Sequence, residues 1–202
     1  MNKSAYRNSI VISSIAGFSL IVLSLFTGKK ELFLLLNHNL GSTADLFFTY
    51  ITYLGDGLIF VPLVLFYLFK KNKEAWISSL LIILISTLLV HLNKQILFSN
   101  INRPYFEIID KNLIHTVAGV ELHLFNSFPS GHTTTAFCVY LIIAQFTKWK
   151  AWWVIGFILA ALVGYSRIYL AQHFPMDVGA GMLMAVVSSL AAKKFVGYLV
   201  KQ

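Results

Sequence analysis

Residues 75–98 read AWISSLLIILISTLLVHLNKQILF. A segment that crosses the hydrocarbon core of a bilayer needs about 20 predominantly apolar residues, and this run supplies them before it reaches Lys94. Working outward, five more runs of the same kind appear, at 8–26, 49–69, 132–147, 152–169 and 177–197. A backbone in hydrocarbon must satisfy its own hydrogen bonds, so each span is read as a helix. The expected fold is all-α: a polytopic membrane protein of six transmembrane helices. The weakly amphipathic stretch 31–39 reads as an interfacial helix between the first two spans.

Composition agrees. The chain has 202 residues, of which 57% are hydrophobic and only 12% charged, and its mean hydropathy is +0.74. Soluble domains run nearer 45–50% apolar and about 25% charged. Length alone suggests one integral-membrane domain over 1–202. A single cysteine, Cys138, excludes a disulfide framework or a multi-thiolate metal site and reads as a small buried residue. The formal net charge of +8 comes from lysines and arginines scattered between apolar runs. That pattern suits anionic lipid and not nucleic acid. Lys3 and Arg7 ahead of the apolar run 10–26 imitate a signal peptide, but no small-x-small cleavage site follows, so the run is taken as an uncleaved first span.

Orientation follows from the basic residues. With the N-terminus in the cytoplasm, that side receives Lys3, Arg7, Lys70, Lys71, Lys73, Lys148, Lys150, Lys193, Lys194 and Lys201. The other side receives Lys29, Lys30, Lys94, Arg103, Lys111 and Arg167. The bias favours both termini inside. The polar residues of the third-to-fourth and fifth-to-sixth connections then gather at the non-cytoplasmic face. Ionisable groups at such depth are costly and are usually functional.

Three segments there carry chemistry. In Pro129-Ser130-Gly131-His132, Pro129 disfavours helix at Phe128 and Ser130 is a natural N-cap. The free N–H groups of the first turn form an anion site, which Gly131 lets a phosphate approach closely. His132 is placed to donate a proton. The bland alternative is a capped helix with an incidental histidine. In the second segment Ser166-Arg167 is followed by five residues, His173, three residues and Asp177, with Pro175 suited to a first helical turn. A carboxylate four residues on can hold one imidazole nitrogen and leave the other free to attack; the alternative is a buried pair that only steadies a loop. In the third, Lys94 is followed by Arg103-Pro104, which alone reads as an ordinary basic helix end. Together the segments supply three cations, a helix N-terminus, two histidines and a carboxylate. Those are the needs of phosphoryl transfer, met without a metal.

With these residues in view, the chain resembles the type 2 phosphatidic acid phosphatase family, which is related to vanadium haloperoxidases, bacterial acid phosphatases and glucose-6-phosphatase. The signature is Lys, spacer, Arg-Pro; then Pro-Ser-Gly-His; then Ser-Arg, five residues, His, three residues, Asp. The second and third parts match fully. In the first, eight residues separate Lys94 from Arg103 where six are commonest. The resemblance covers about 49–197. It implies that His173 attacks phosphorus and becomes a phosphohistidine, that Asp177 orients it, and that His132 protonates the leaving oxygen and then activates water. It further implies that Lys94, Arg103, Ser130, Gly131 and Arg167 bind the phosphate.

Outside the signature, Asp56 caps a helix or lines the site's mouth, and Glu121 and His123 are candidates to shape a headgroup site. Gly179, Gly181 and Ala185 suggest close helix approach. No metal and no cofactor is expected. The expected partners are a phosphorylated membrane lipid (isoprenyl diphosphate, phosphatidylglycerol phosphate, phosphatidic acid or lipid A phosphate) and the bilayer, in a bacterial plasma membrane. Competing readings are a serine hydrolase through Ser130, a metal site from His132, His173 and Asp177, a vanadate-using peroxidase, and a non-catalytic phospholipid-binding or anion-transport protein.

Overall fold

In the computed structural model, which describes residues 3–199, the chain folds as helices with no strand among the described residues. Lys201, counted above with the cytoplasmic basic residues, lies outside the described residues. The helices are α1 (Lys3–Thr27), α2 (Lys29–Leu36), α3 (Ser42–Ile51), α4 (Phe60–Phe69), α5 (Lys73–Leu92), α6 (Pro104–Glu107), α7 (Gly131–Phe146), α8 (Trp152–Tyr169) and α9 (Pro175–Leu199).

Helix α9 is the packing centre, because small side chains let neighbours reach it from several sides. It packs on α1, α7 and α5. Where α1 crosses it, Gly17 and Gly179 face each other, and a Cβ added at Gly179 would lie 2.6 Å from the Gly17 carbonyl oxygen. Farther along, Tyr6 Oη and Ser189 Oγ share a 2.9 Å hydrogen bond. Helix α7 fills the core: Phe137, Cys138, Leu141, Ile142 and Ala144 are fully buried on it. Ser78 of α5 donates to Gln145 of α7 at 3.3 Å, so a polar pair inside the bundle is satisfied. By contrast Ile15, Phe18, Phe26, Leu58, Phe69 and Leu84 point outward, each more than half exposed. In water that much bare apolar surface would cost about 25 cal/mol per Å²; lipid removes the cost.

Among the described residues, four helical stretches are long and apolar enough to cross a membrane: Ser4–Thr27, Lys73–Leu97, Trp152–Tyr169 and Pro175–Gly197. A fifth crossing is formed if Ser42–Gly55 and Gly57–Phe69 count as one span, bent by 57°. The region expected as the second span, 49–69, is thus helical from Ser42 onward and interrupted near Asp56. The cause is local: Asp56 between two glycines is extended (φ −71°, ψ 145°), and its carboxylate accepts the Leu58 N–H at 2.8 Å, starting a fresh helical turn. The fourth expected span is α7, whose 16 residues amount to about 24 Å, short of a hydrocarbon core of about 30 Å. Of the stretch 31–39 expected as an interfacial helix, residues 31–36 are helical, within α2.

The connection from α5 to α7 folds over one end of the bundle. Arg103 N–H donates to the Leu124 carbonyl at 2.8 Å and Ser127 N–H to that of Ile101 at 3.0 Å. Lys29 pairs with Glu107 at 2.8 Å. His115 bonds Asp45 of α3 at 2.8 Å, and Tyr169 donates to the same carboxylate oxygen. These ties hold the three signature segments over the ends of α5, α7 and α9.

Candidate active site

The site is built where α8 ends and α9 begins. Helix α8 closes on Ala171, which adopts the left-handed conformation (φ 55°), a backbone state that costs a non-glycine residue about 1–2 kcal/mol. The turn lets the Arg167 carbonyl accept both the Gln172 and His173 N–H groups, at 2.9 and 3.0 Å. His173 is thereby delivered into the interior, 2% exposed. Pro175 opens α9 as its first residue, and Asp177 sits in the first turn.

His173 Nδ1 lies 3.4 Å from Asp177 Oδ2 but out of hydrogen-bonding alignment, so this buried nitrogen has no hydrogen-bond partner among the described residues. Catalytic hydrogen bonds are commonly long before substrate binds. The same Oδ2 accepts the Ser127 hydroxyl at 2.5 Å and the Phe174 N–H at 2.9 Å. Burial, and then the positive charges of Arg103, Arg167 and Lys94, hold the His173 pKa well below its ordinary value. The ring is therefore neutral at physiological pH, with a lone pair available.

The cations come from three elements. Arg103 precedes Pro104 at the start of α6; its Nε donates to the Phe125 carbonyl at 2.9 Å, and its Nη1 to the backbone and side-chain oxygens of Gln172 at 3.1 and 3.2 Å. Arg167 Nη1 donates to Thr52 Oγ1 at 2.7 Å, while its buried Nε has no hydrogen-bond partner among the described residues. Arg167 Nε, buried in this charged cluster, is costly to leave unpaired unless something anionic completes it. Lys94 lies in the π-helical turn Asn93–Leu97 that ends α5. Such turns take up an added residue and are frequent at functional sites. From that turn Lys94 lines a cavity of about 300 Å³ together with Gly131 and His132.

Ser130 caps α7, and its N–H donates to the Asp177 backbone carbonyl at 3.0 Å, tying α7 to α9. Its buried Oγ accepts the Thr133 hydroxyl at 2.9 Å and the Thr133 N–H at 3.4 Å. Both of these bonds lie within α7 and its cap, and none among the described residues joins the Ser130 hydroxyl to His173. His132, one turn residue on, borders two cavities. Besides the one shared with Lys94, it lines a second, of about 320 Å³, with Thr52, Glu121, His123, Arg167 and Gln172. Glu121 and His123, exposed and 3.9 Å apart, are thereby brought to the site's outer wall. Asp56 is a helix cap, as one reading had it, but it follows Gly55, whose added Cβ would lie 2.7 Å from the His132 carbonyl oxygen. The break between the two helical segments is therefore packed directly against the site. Among the described residues no group of three His, Cys, Asp or Glu side chains could hold a metal ion.

Sequence reasoning passed over Ser127, Thr52 and Gln172. Each is an ordinary polar residue outside the signature, and only the contacts with Asp177, Arg167 and Arg103 give it meaning.

Residues 75–201 match the PAP2 superfamily. This chain belongs to the PAP2 superfamily. An undecaprenyl-diphosphatase of Sulfolobus acidocaldarius is 29% identical over 157 residues, 76% of this chain and 71% of that protein. The PAP2 match is accompanied by solved structures. The crystal structure of Aquifex aeolicus LpxE superposes with a TM-score of 0.71 at 34% identity, covering 81% of this chain and 93% of that one. A transmembrane PAP2-type phosphatidylglycerolphosphate phosphatase from Bacillus subtilis gives 0.62 at 22% identity, covering 94% of each, a likeness of fold. Several further relatives match over only 34–43% of their own length.

Proposed function

We propose that this chain is an integral-membrane lipid phosphatase acting through a phosphohistidine. The observation that carries the reading is the buried His173–Asp177 pair, neutral at the ring and surrounded by Arg103, Arg167 and Lys94. Membership of the PAP2 superfamily, with lipid phosphatases among the relatives, supports it.

In the proposed reaction the three cations and the first N–H groups of α7 hold a lipid phosphate. The free imidazole nitrogen of His173 forms a bond to phosphorus as the bond to the lipid oxygen breaks, and protonated His132 gives its proton to that oxygen. Asp177 balances the charge on the phosphorylated ring. Water then attacks phosphorus, neutral His132 takes its proton, and phosphate leaves with His173 restored. Charge stabilisation comes from fixed cations, so no metal is required. The substrate is an isoprenyl diphosphate or a monophosphorylated membrane lipid of the phosphatidylglycerol phosphate, phosphatidic acid or lipid A type. We read residues 1–202 as one membrane unit of six spans, both termini cytoplasmic and the site at the outer face, in a bacterial plasma membrane. The distribution of basic residues supports this orientation.

The test is phosphate release from a panel of these lipids by purified protein in detergent, with rapid trapping of labelled enzyme. Acid-sensitive label is expected on the wild type and absent from His173→Ala. His132→Ala should lose more on a lipid alkoxide than on an activated aryl phosphate, whose leaving group needs no proton. Tight vanadate binding without turnover of any substrate would favour the non-catalytic binder; label on Ser130 would return the serine reading.

A further inference from the structure

Asp177 cannot do its work unaided. A carboxylate beside a buried histidine has two oxygens and free rotation about its side chain, and the one that faces His173 is already engaged. Asp177 Oδ2 accepts the Ser127 hydroxyl at 2.5 Å and the Phe174 N–H at 2.9 Å, and His173 Nδ1 stands 3.4 Å away. Ser127 is completely buried, in the segment just before the capped start of α7. Its own N–H is bonded to the Ile101 carbonyl, on the strand of chain leading to Arg103, so the serine is anchored by the phosphate-binding connection. Phe174 N–H is a fixed backbone donor within the same turn as His173. The serine is therefore the one side chain among these contacts that determines which way the carboxylate faces.

We propose that Ser127 is a positioning residue: its hydroxyl holds the Asp177 carboxylate against His173 and shares it as positive charge grows on the ring. This rests on the phosphatase reading for its catalytic consequence. In the resting site the proton-rich partners of Oδ2 are Ser127 and Phe174. When His173 bonds to phosphorus its ring becomes cationic, the ring N–H turns into a stronger donor, and the 3.4 Å contact closes while Ser127 keeps the carboxylate from rotating away. No bond to Ser127 is made or broken.

The experiment compares Ser127→Ala, Ser127→Thr and wild type in the full-length protein in detergent. A hydrogen bond to a charged group is expected to be worth about 10- to 100-fold in rate. Ser127→Ala should lose that factor in kcat with KM within about 2-fold, and should form phosphohistidine more slowly. Ser127→Thr, which keeps the hydroxyl, should recover most of the rate. Independently of turnover, ¹⁵N NMR of histidine-labelled protein reads the His173 tautomer. The wild type should hold the proton on Nδ1, whereas Ser127→Ala should show a mixture. A general packing defect would lower the melting midpoint and raise KM without shifting the tautomer, and so would overturn the proposal, as would an Ala variant with wild-type kcat. A wild-type protein that releases no phosphate overturns the functional reading instead, and the tautomer comparison still decides the role of Ser127.

Discussion

Adding a single methyl group at Gly55 should damage the active site from outside its signature. A Cβ at Gly55 would sit 2.7 Å from the His132 carbonyl oxygen, 2.7 Å from Val163 Cγ1 and 3.0 Å from His132 Cβ. The first of these is backbone of the opening turn of α7, which is capped by Ser130 and tied to Asp177, so it cannot swing aside like a flexible side chain. Relief requires the broken second span and α7 to part by a sizeable fraction of an ångström. Overpacking of this kind costs about 1–3 kcal/mol, and a misplacement of about 1 Å can cost a catalytic group about 100-fold. Gly55→Ala is therefore expected to lower the melting midpoint and to reduce kcat about 10- to 100-fold. The larger loss should fall on substrates whose leaving oxygen depends on His132. Gly57→Ala is the internal control: an added Cβ there meets nothing within 4 Å, and its melting midpoint should stay unchanged or rise slightly. The assay is phosphate release from a lipid monophosphate and from an aryl phosphate, with thermal unfolding in the same detergent. Equal stability and equal kcat for the Gly55 and Gly57 variants would refute the claim that the break is packed against His132.

Three more outcomes follow from the site. Because the folded protein holds His173 neutral below its usual pKa of about 6.5, the unfolded chain binds the extra proton first; that part of the stability is complete above about pH 6.5 and is lost as pH falls. Melting midpoints between pH 7 and 5 should thus fall more steeply for wild type than for His173→Gln, and identical slopes would contradict the neutral-ring assignment. Activity should persist in excess chelator and be inhibited by vanadate, a mimic of the trigonal phosphoryl group; loss in chelator that a divalent ion restores would sink metal independence. For topology, Val120→Cys should label from outside intact cells and Asn72→Cys should not, with the native Cys138 silent because it is buried; the reverse pattern would invert the protein in the membrane.

The apolar runs are legible in one dimension because hydrocarbon imposes a length and a hydropathy on any helix that crosses it, whatever its neighbours. The signature is legible for a related reason. Phosphate chemistry needs particular residue types, and two of its three parts lie within a turn or two of a helix start, where local spacing controls geometry. So the helical membrane character and the grouping of Lys94, Arg103, His132, Arg167, His173 and Asp177 could be read before any coordinates. What sequence could not decide is whatever depends on contacts between segments distant along the chain. Gly55 and Gly57 are equivalent on paper, yet only the first touches His132. The spacer after Lys94 is two residues longer than the commonest one, and only the fold shows a π-helical turn at Lys94 and a cavity that Lys94 and His132 line together. Thr52 is separated from Arg167 by 115 positions and Ser127 from Asp177 by 50, and each becomes part of the site only through one hydrogen bond. Hydroxyl groups of this kind carry no periodicity, charge or spacing that announces them. Their role is set by which buried charge the tertiary fold lays within hydrogen-bonding distance.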